Sequence, residues 1–467
     1  MDWQPVNIVG GDYSDDALPW TAQATVNYLI VPAEREGTMS PAKLRGAPGL
    51  VRFAESQAKP VRGAYNAEGL FLIVVGRTLY RVNKNGTTTA IGTIPGVGRV
   101  SIAHNKHGAG NEIAIANGQS GYVYDTTVGA LSQITDEGFP GSPVFEFVAG
   151  YMAGVDPFGR FWFISELGQA RQYNTLDRSD AESEPDKIVT LIRVGEEILV
   201  FGERTGEFFR NTGQATGTFQ RVNGVSMSIG CASRFSLARL DNSIFWLGND
   251  GKFYRLEGNT PVRISTAAQE KSISGLDWSK VFCTTFEDQG HAVVYFTFPD
   301  GYTWGYDALS RDWHRRESHG LKRWRVNTLT KWAGAWYAGD FSNGRLYRLD
   351  WDELHEDGQP LVSRRRGGVT YAGGNVIGFG AVRLEFDVGR IPVGVTDHFC
   401  SLRYSDDGGH NWSKSRVLSL GRTGQFRRKV IARRLGRSAH RIWEVEVSSP
   451  GRRDLLAAAW NTEATAA

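Results

Sequence analysis

Short runs of apolar residues, broken at regular intervals by glycine-rich turns, run along most of this chain. From Ser243 to Leu256, SIFWLGNDGKFYRL, an apolar run (Ile244, Phe245, Trp246, Leu247) meets a tight turn (Gly248, Asn249, Asp250, Gly251). A second run, Phe253, Tyr254, Arg255 and Leu256, follows. Asp-Gly between two β-prone runs predicts a hairpin, because the turn needs residues that tolerate positive φ. The same sentence recurs as GRTLYRV from Gly76, GYVYD from Gly121, GQARQYN from Gly168, GEFFR from Gly206, GKFYRL from Gly251, GYTWGYD from Gly301 and GRLYRL from Gly344. The intervals are 45, 47, 38, 45, 50 and 43 residues. A period in the 40s built from short strands predicts a β-propeller.

Each unit opens on an apolar strand: Leu70 to Val75, Glu112 to Ala116, Arg160 to Ile164, Glu197 to Phe201, Ile244 to Leu247, Ala292 to Phe296 and Ala335 to Ala338. A blade cannot bury both sheet faces alone, so neighbours must stack around one axis. The Gly168 copy lacks a good second strand, which leaves six or seven blades open. Residues 1–65 lack the pattern. Pro32, Pro41 and Pro48 forbid long helices or central strands there, and the segment reads as an extended N-terminal arm. Within it, Leu50, Val51 and Phe53 are expected to supply the outer strand that closes the ring and removes its exposed edge. Residues 66–372 carry the propeller, and Arg364 to Gly374 is a Gly-rich join. Residues 373–467 resume strands without the blade period. In the last of these, Trp443, Val445 and Val447 fall on one face and Glu444 and Glu446 on the other. This part reads as a C-terminal β-sandwich with a frayed tail from Asn461 to Ala467. The fold class is all-β.

The 467 residues include 56 Gly and 12 % aromatics, as an all-β chain of aromatic strands and glycine turns requires. Net charge is +3, but residues 375–467 hold 15 Lys and Arg against 9 Asp and Glu, while the remainder is −3. The two parts differ electrically, as separate domains do. Cys231, Cys283 and Cys400 are far apart and odd in number, which predicts packed thiols and no disulfide framework. No apolar run approaches the ~20 residues of a membrane helix. The N-terminus has no secretory n-region or h-region, so cytosolic synthesis is expected.

Candidate chemistry is sparse. Ser405, Asp407, Gly409 and Trp412 fit the Asp-box pattern S-x-D-x-G-x-x-W. Its acid folds onto turn amides, its glycine takes the awkward φ, and its indole plugs the hairpin base. This structural staple is shared by sialidases, lectin-like proteins and phage proteins, and one box outside the propeller argues against sialidase chemistry. A glycosidase needs two carboxylates roughly 5–10 Å apart. Asp156, Glu166 and Asp177 are nominal choices among 50 acids. His104 and His107 have no partner at ligand spacing. Gly373 to Gly380, GGNVIGFG, lacks the Lys-Ser/Thr end of a phosphate loop and reads as a linker. No GxSxG, HExxH or Walker sequence occurs, so no catalytic, metal or cofactor site is expected. The most basic stretch holds Arg427, Arg428, Lys429, Arg433, Arg434, Arg437 and Arg441. It is either a solvated face or a contact for an acidic partner subunit. Sequence-specific DNA reading is not expected without a recognition helix.

Several segments, in order along nearly the whole chain, have a familial look. LRGAPGL (Leu44 to Leu50) resembles a signature near the start of the packaged-DNA stabilisation proteins of short-tailed phages, the tail hub or nozzle proteins. Arg171 to Gly213, with its Asp/Glu-rich turn before a strand pair, is similar to their middle segment. VSIAHN (Val100 to Asn105), WGYDALSRDWHRRESHG (Trp304 to Gly320) and the close from Arg427 to Pro450 also resemble theirs. The resemblance implies a non-enzymatic virion-tail protein, assembled in the bacterial cytoplasm as a homo-hexamer below the portal and adaptor rings. Such a ring would extend the DNA channel, retain packaged double-stranded DNA and carry a needle, spike or fibres. A densely basic bore would grip the genome through its phosphates. Residues 427–441 are therefore expected not to line the channel continuously. The competing readings are a propeller glycan hydrolase or depolymerase, and a carbohydrate-binding propeller.

Overall fold

The computed structural model describes residues 3–180, 186–214, 217–371, 373–392, 395 and 398–462. Seven antiparallel blades follow one another around the ring: five separate four-stranded sheets, a sixth that is continuous with a larger sheet, and a seventh completed by a strand from the N-terminal segment. The first is Val61–Ala67, Leu70–Val75, Thr78–Val82 and Thr88–Thr93. The innermost strands of the others are Ser101–Asn105, Phe145–Val148, Ile188–Val194, Leu237–Leu240, Phe282–Asp288 and Val326–Trp332. The last of these packs beside Val61–Ala67, so the sheets form a closed propeller.

Side-chain alternation explains why the central strands are apolar throughout. In Glu197–Gly202, Ile198 and Val200 join a core shared with the third blade, through Val155 and Trp162. Leu199 and Phe201 point the other way, into a core with Ile244 and Trp246 of the fifth blade. Successive residues of a strand serve opposite faces. A blade packed on both sides therefore needs apolar residues at both parities. Each fully buried large side chain contributes about 1.5–3 kcal/mol.

The third blade corrects the sequence reading. Its strands are Phe145–Val148, Tyr151–Val155, Trp162–Ser165 and Tyr173–Ser179. RFWFI, read as the strand that opens the unit, supplies the third strand, and GQARQYN supplies a loop and the start of the outer one. The register of the repeat slips there, which accounts for the 38-residue interval. The Asp/Glu-rich turn that follows lies largely at 181–185, outside the described residues.

Ring closure falls where it was expected. Gly49–Glu55 runs antiparallel to Arg345–Asp350 as the outer strand of the seventh blade, with Leu50 opposite Leu349 and Val51 opposite Arg348. Leu50 is buried with Trp324 and Tyr347, and Phe53 packs on Tyr337 at 4.8 Å. On the outer side Arg52 reaches Asp357 at 2.8 Å.

The rest of the chain forms two facing sheets. One runs Tyr28–Pro32, Ala42–Gly46, Leu455–Thr462, Ile377–Phe386, Val430–Arg433, with Gln4–Val6 also on Leu455–Thr462. The other runs Ala22–Val26, Ser363–Arg366, His440–Val447, His398–Ser405, Arg416–Gly421. Tyr28, Leu44, Phe379, Leu384, Cys400, Trp443, Val445 and Leu455 fill the space between them. The first 65 residues thus supply strands to both parts. The linker expected at GGNVIGFG is strand from Ile377 onward, with a bulge between Phe379 and Ala381 where its glycines sit. The join expected at Arg364 also begins inside a strand, Ser363–Arg366. Arg365 is buried there and donates to the carbonyls of Ile8 and Gly11, to Thr25 Oγ1 and to Gln23 Oε1. Of the expected frayed tail, 463–467 lie outside the described residues.

The two parts meet at Asn27, which holds a left-handed φ of 55°. Its Nδ2 donates to the carbonyls of Glu317 and Val362, at 2.8 and 2.7 Å. Its Oδ1 accepts from Arg316 Nη1 and from the Glu317 amide. Val26, one residue earlier, pairs in parallel with Arg315 of the sixth blade.

Two expectations follow from this architecture. Leu50→Ala leaves a cavity in the closing strand and should cost about 2–5 kcal/mol, read by urea unfolding against the wild type; a loss below about 0.5 kcal/mol would show that the strand is not needed for closure. The second concerns His314, buried against Tyr295 with ring centroids 5.7 Å apart. Burial pushes its imidazole down to about 3. Because the folded value lies below the unfolded one, this group's contribution is complete above about pH 6.5 and falls away as the pH drops toward 3. Stability measured between pH 7 and 4 should fall, and His314→Gln should flatten that slope; an unchanged slope would remove His314 from the acid response.

Candidate functional site

The Asp-box hairpin is built as its residues demand. Ser405 closes the strand His398–Ser405. Its hydroxyl donates to Asp407 Oδ1 at 2.7 Å and accepts from the Gly409 amide at 2.8 Å. Asp407 also accepts from the amide and side chain of Asn411, and these bonds hold its carboxyl well below the usual carboxylate range. Gly409 takes φ 97°, and Trp412 donates its indole N–H to the Gly409 carbonyl at 3.0 Å. Arg366 and Arg403 stack on Trp412 at 4.7 and 4.9 Å, and both pair with the buried Glu444. Ser405, Asp407 and Trp412 thus make their hydrogen bonds within the hairpin itself.

Asp406, next to the box, explains the last member of the basic stretch. Arg441 is withdrawn from solvent. It pairs with Asp406 through two bonds at 2.6 and 2.7 Å, donates to the Leu435 carbonyl, and lies 3.9 Å over Tyr404. It serves the sandwich core. Arg427, Arg428, Lys429, Arg433, Arg434 and Arg437 are exposed, and none of them forms an ion pair with a described residue. Arg427, Arg428 and Lys429 lie in the turn from Arg416–Gly421, the edge of one sheet, to Val430–Arg433, the edge of the other; Arg433 and Arg434 follow at its end, and Arg437 in the short strand beyond. The result is a cationic ridge down one side of the sandwich. Sequence reasoning stopped short of its extent. Residues 408–443 contain no Asp or Glu at all, and Lys414, Arg416 and Arg422 lengthen the ridge. That absence of acid is the signal that would have found them. Exposed Val417 and Phe426 interrupt the charge.

The remaining candidates are engaged elsewhere. Asp156 is buried. Burial would raise its carboxyl, but hydrogen bonds from Arg160, at 2.9 and 3.0 Å, and from the Phe158 amide lower it on balance. Asp177 is pushed up by burial. The cavity beside it holds about 20 Å³, room for a water and far from the several hundred Å³ that a sugar needs. Glu166 is exposed at a turn. His104 Nε2 donates to the Gly110 carbonyl at 2.7 Å, and among the described residues no three His, Cys, Asp or Glu converge. Burial raises the thiols of Cys231 and Cys400, to about 11 and about 12, and that of Cys283 as well.

Known proteins place this geometry in a family. The family described as Bacteriophage P22 Gp10, beta-propeller, matches residues 4–353, and that described as Bacteriophage P22 Gp10, beta-sandwich, matches residues 366–463. The tail hub protein gp10 of Salmonella phage P22 is 30 % identical over 207 residues, covering 41 % of this chain and 40 % of that protein. The chain therefore spans less than half the length of that relative in the match. Among solved structures, the computationally designed Ika8 protein aligns with a TM-score of 0.40 and 14 % identity over 74 % of this chain and 99 % of its own. Virginiamycin B lyase from Staphylococcus aureus aligns at 0.45 and 8 % over 64 % and 97 %. With a propeller and a sandwich in one order and both matched in that order, this chain belongs to the bacteriophage P22 Gp10 family.

Proposed function

We propose that this chain is a structural subunit of a phage tail hub, in the virion, and not an enzyme. The observation that carries the reading is the ordered match of both parts of the chain to the P22 Gp10 family, one member of which is named a tail hub protein. Six copies form a ring below the adaptor, extend the DNA channel, retain the packaged genome and carry the needle, spike or fibres. Assembly takes place in the cytoplasm of the bacterial host.

The fold suits that task. Seven blades packed on both faces make a stiff disc, and the Asn27 junction joins the sandwich to its rim. Closed cyclic symmetry uses one heterologous contact repeatedly. A permanent contact of that kind buries upward of ~2,000 Å². The cationic ridge serves a partner contact with an acidic protein surface and stands away from the bore, whose wall is neutral or acidic. A bore lined with guanidinium groups would hold each passing phosphate, with an affinity that rises as salt falls.

Native mass measurement of the purified chain, alone and with its adaptor ring, should give a six-fold species; a monomer under both conditions would overturn the reading. Arg427→Glu, Arg428→Glu and Lys429→Glu together change only exposed side chains. Monomer stability should move by no more than about 0.5 kcal/mol, while joining of the partner ring, followed by sedimentation, should weaken at least tenfold and lose its salt dependence. Wild-type assembly by the triple variant would place the contact elsewhere.

A further inference from the structure

Four Asn-Gly pairs occur in the chain, at 85–86, 117–118, 223–224 and 343–344. Such a pair is prone to close on itself. Glycine has no side chain to shield its amide nitrogen, and that nitrogen can reach the carboxamide carbon of the asparagine before it. The fold treats the four pairs differently.

Three are held. Asn85 Oδ1 accepts from the amide and the hydroxyl of Thr87, at 3.1 and 2.7 Å, and the Gly86 amide donates to the Asn83 carbonyl at 3.0 Å. Asn117 is clamped at both ends of its carboxamide: Oδ1 accepts from the amides of Gln119 and Ser120, and Nδ2 donates to the Pro95 carbonyl. Asn343 Oδ1 accepts from the Arg345 amide at 2.9 Å, and Gly344 is wedged where a Cβ would stand 2.1 Å from the Ala58 carbonyl oxygen. Asn223 differs. It is exposed in Phe219–Met227, the outer strand of the fourth blade. The ladder to Gly206–Asn211 pairs Arg221 with Phe209 and Ser226 with Glu207, and residues 222–225 bulge between them without a partner in that ladder. Gly224 turns there at φ 76°, with nothing within 4 Å of where a Cβ would lie. Among the described residues, no hydrogen bond holds the Asn223 side chain.

We propose that Asn223 is a site of spontaneous covalent modification, where this chain turns a carboxamide into a carboxylate. The Gly224 amide nitrogen gives its proton to hydroxide and attacks Asn223 Cγ. A C–N bond forms, the bond from Cγ to the side-chain nitrogen breaks, and that nitrogen takes up a proton and leaves as ammonia. Water then adds to either carbonyl of the cyclic imide and opens it, to aspartate or to isoaspartate. Water is the net co-reactant, and nothing is oxidised or reduced. The bulge provides what closure needs: the backbone at 223 swings without breaking a ladder bond, and no side chain covers the attacked or attacking atom. At the other three pairs hydrogen bonds must break first, which slows closure about fivefold for each. The product carries a new negative charge on the rim of the propeller. In the isoaspartate the main chain gains a methylene, inside a bulge that already lies outside the paired ladder. The reaction needs one copy of the chain and does not depend on ring assembly.

The test is incubation of the full folded chain at neutral and mildly alkaline pH, followed by peptide mapping with mass measurement. Trypsin releases Asn223 in the peptide Val222–Arg234, which holds no other asparagine and no glutamine, so its acid forms are read directly. Acid should form at Asn223 at least about fivefold faster than at Asn85, Asn117 or Asn343, and faster as the pH rises, since the attacking nitrogen must shed its proton. In urea the four rates should converge, because the fold and not the dipeptide separates them. Asn223→Gln lengthens an exposed side chain and disfavours ring closure, so it should fold as the wild type does and stop the acidic species that charge separation of the intact chain resolves. Equal rates at the four pairs in the folded chain, an order of rates that persists in urea, or the same acidic species from Asn223→Gln would each overturn the proposal.

Discussion

One carboxamide, that of Asn27, ties the propeller to the sandwich. Both donors and both acceptor positions of its side chain are used: two carbonyls, from Glu317 and Val362, and two donors, the Glu317 amide and Arg316. Its own carbonyl accepts from Ser363 Oγ and from the Ala47 amide. Strands of the sixth blade, the sandwich and the N-terminal segment thus converge on one residue, at a left-handed φ that asparagine tolerates better than most. Behind it, the fully buried Arg316 lies over Trp324 at 4.5 Å and also reaches the Pro48 carbonyl. Glu356 completes the set by accepting from Trp324 Nε1 and Ser318 Oγ. A buried polar network of this kind is costly wherever a member goes unsatisfied, and in this set Arg316 Nε alone lacks a partner. That cost fixes how the two parts sit.

Buried arginine is used the same way elsewhere. Arg62 donates to the carbonyls of Gly98, Gly76, Ile94 and Pro95, so one side chain pins the crossing from the first blade to the second. Arg365 gathers the first 25 residues through Ile8, Gly11, Gln23 and Thr25. Loop carbonyls need donors once they are buried, and a planar guanidinium can reach several in one plane. Such cations hold turns that have no ladder of their own. The arrangement costs desolvation and returns a defined geometry, which suits a part that must stay rigid.

What could be read from the chain depended on how each segment is buried. Strands packed on both faces announce themselves as apolar runs, so most blades and the closing strand were legible. The second strand of the third blade was not, because Gly154 lies under the ring of Phe163, where a Cβ would stand 2.7 Å from it. YMAGV therefore carries small residues, Ala153 and Gly154, where a run of large apolar ones was sought, and the third strand took its place in the reading. The N-terminal strands were legible as extended but not as sandwich, since their partners lie more than 300 residues away: Ala24 opposite Arg366, and Leu44 opposite Leu455. The Asp box was legible because its hydrogen bonds are all local.

Charge was the least legible property, because sequence shows the sign of a residue but not its solvent. Arg441 reads as one of a basic series, yet Asp406 and three aromatic rings make it part of a core. The cations at 427–437 look the same in sequence and stand in water along two sheet edges. Cations on an edge strand discourage stray pairing of that edge, which alone would account for one or two of them. It does not account for the exclusion of every acid from 408 to 443. Elsewhere in this protein surface arginines are commonly matched, as Arg52 is with Asp357, Arg171 with Glu112 and Arg239 with Glu146. A whole unmatched ridge leaves a positive field open to solvent, as the proposed contact with an acidic partner requires, while Asn27 and the buried arginines keep the sandwich that bears it fixed on the disc.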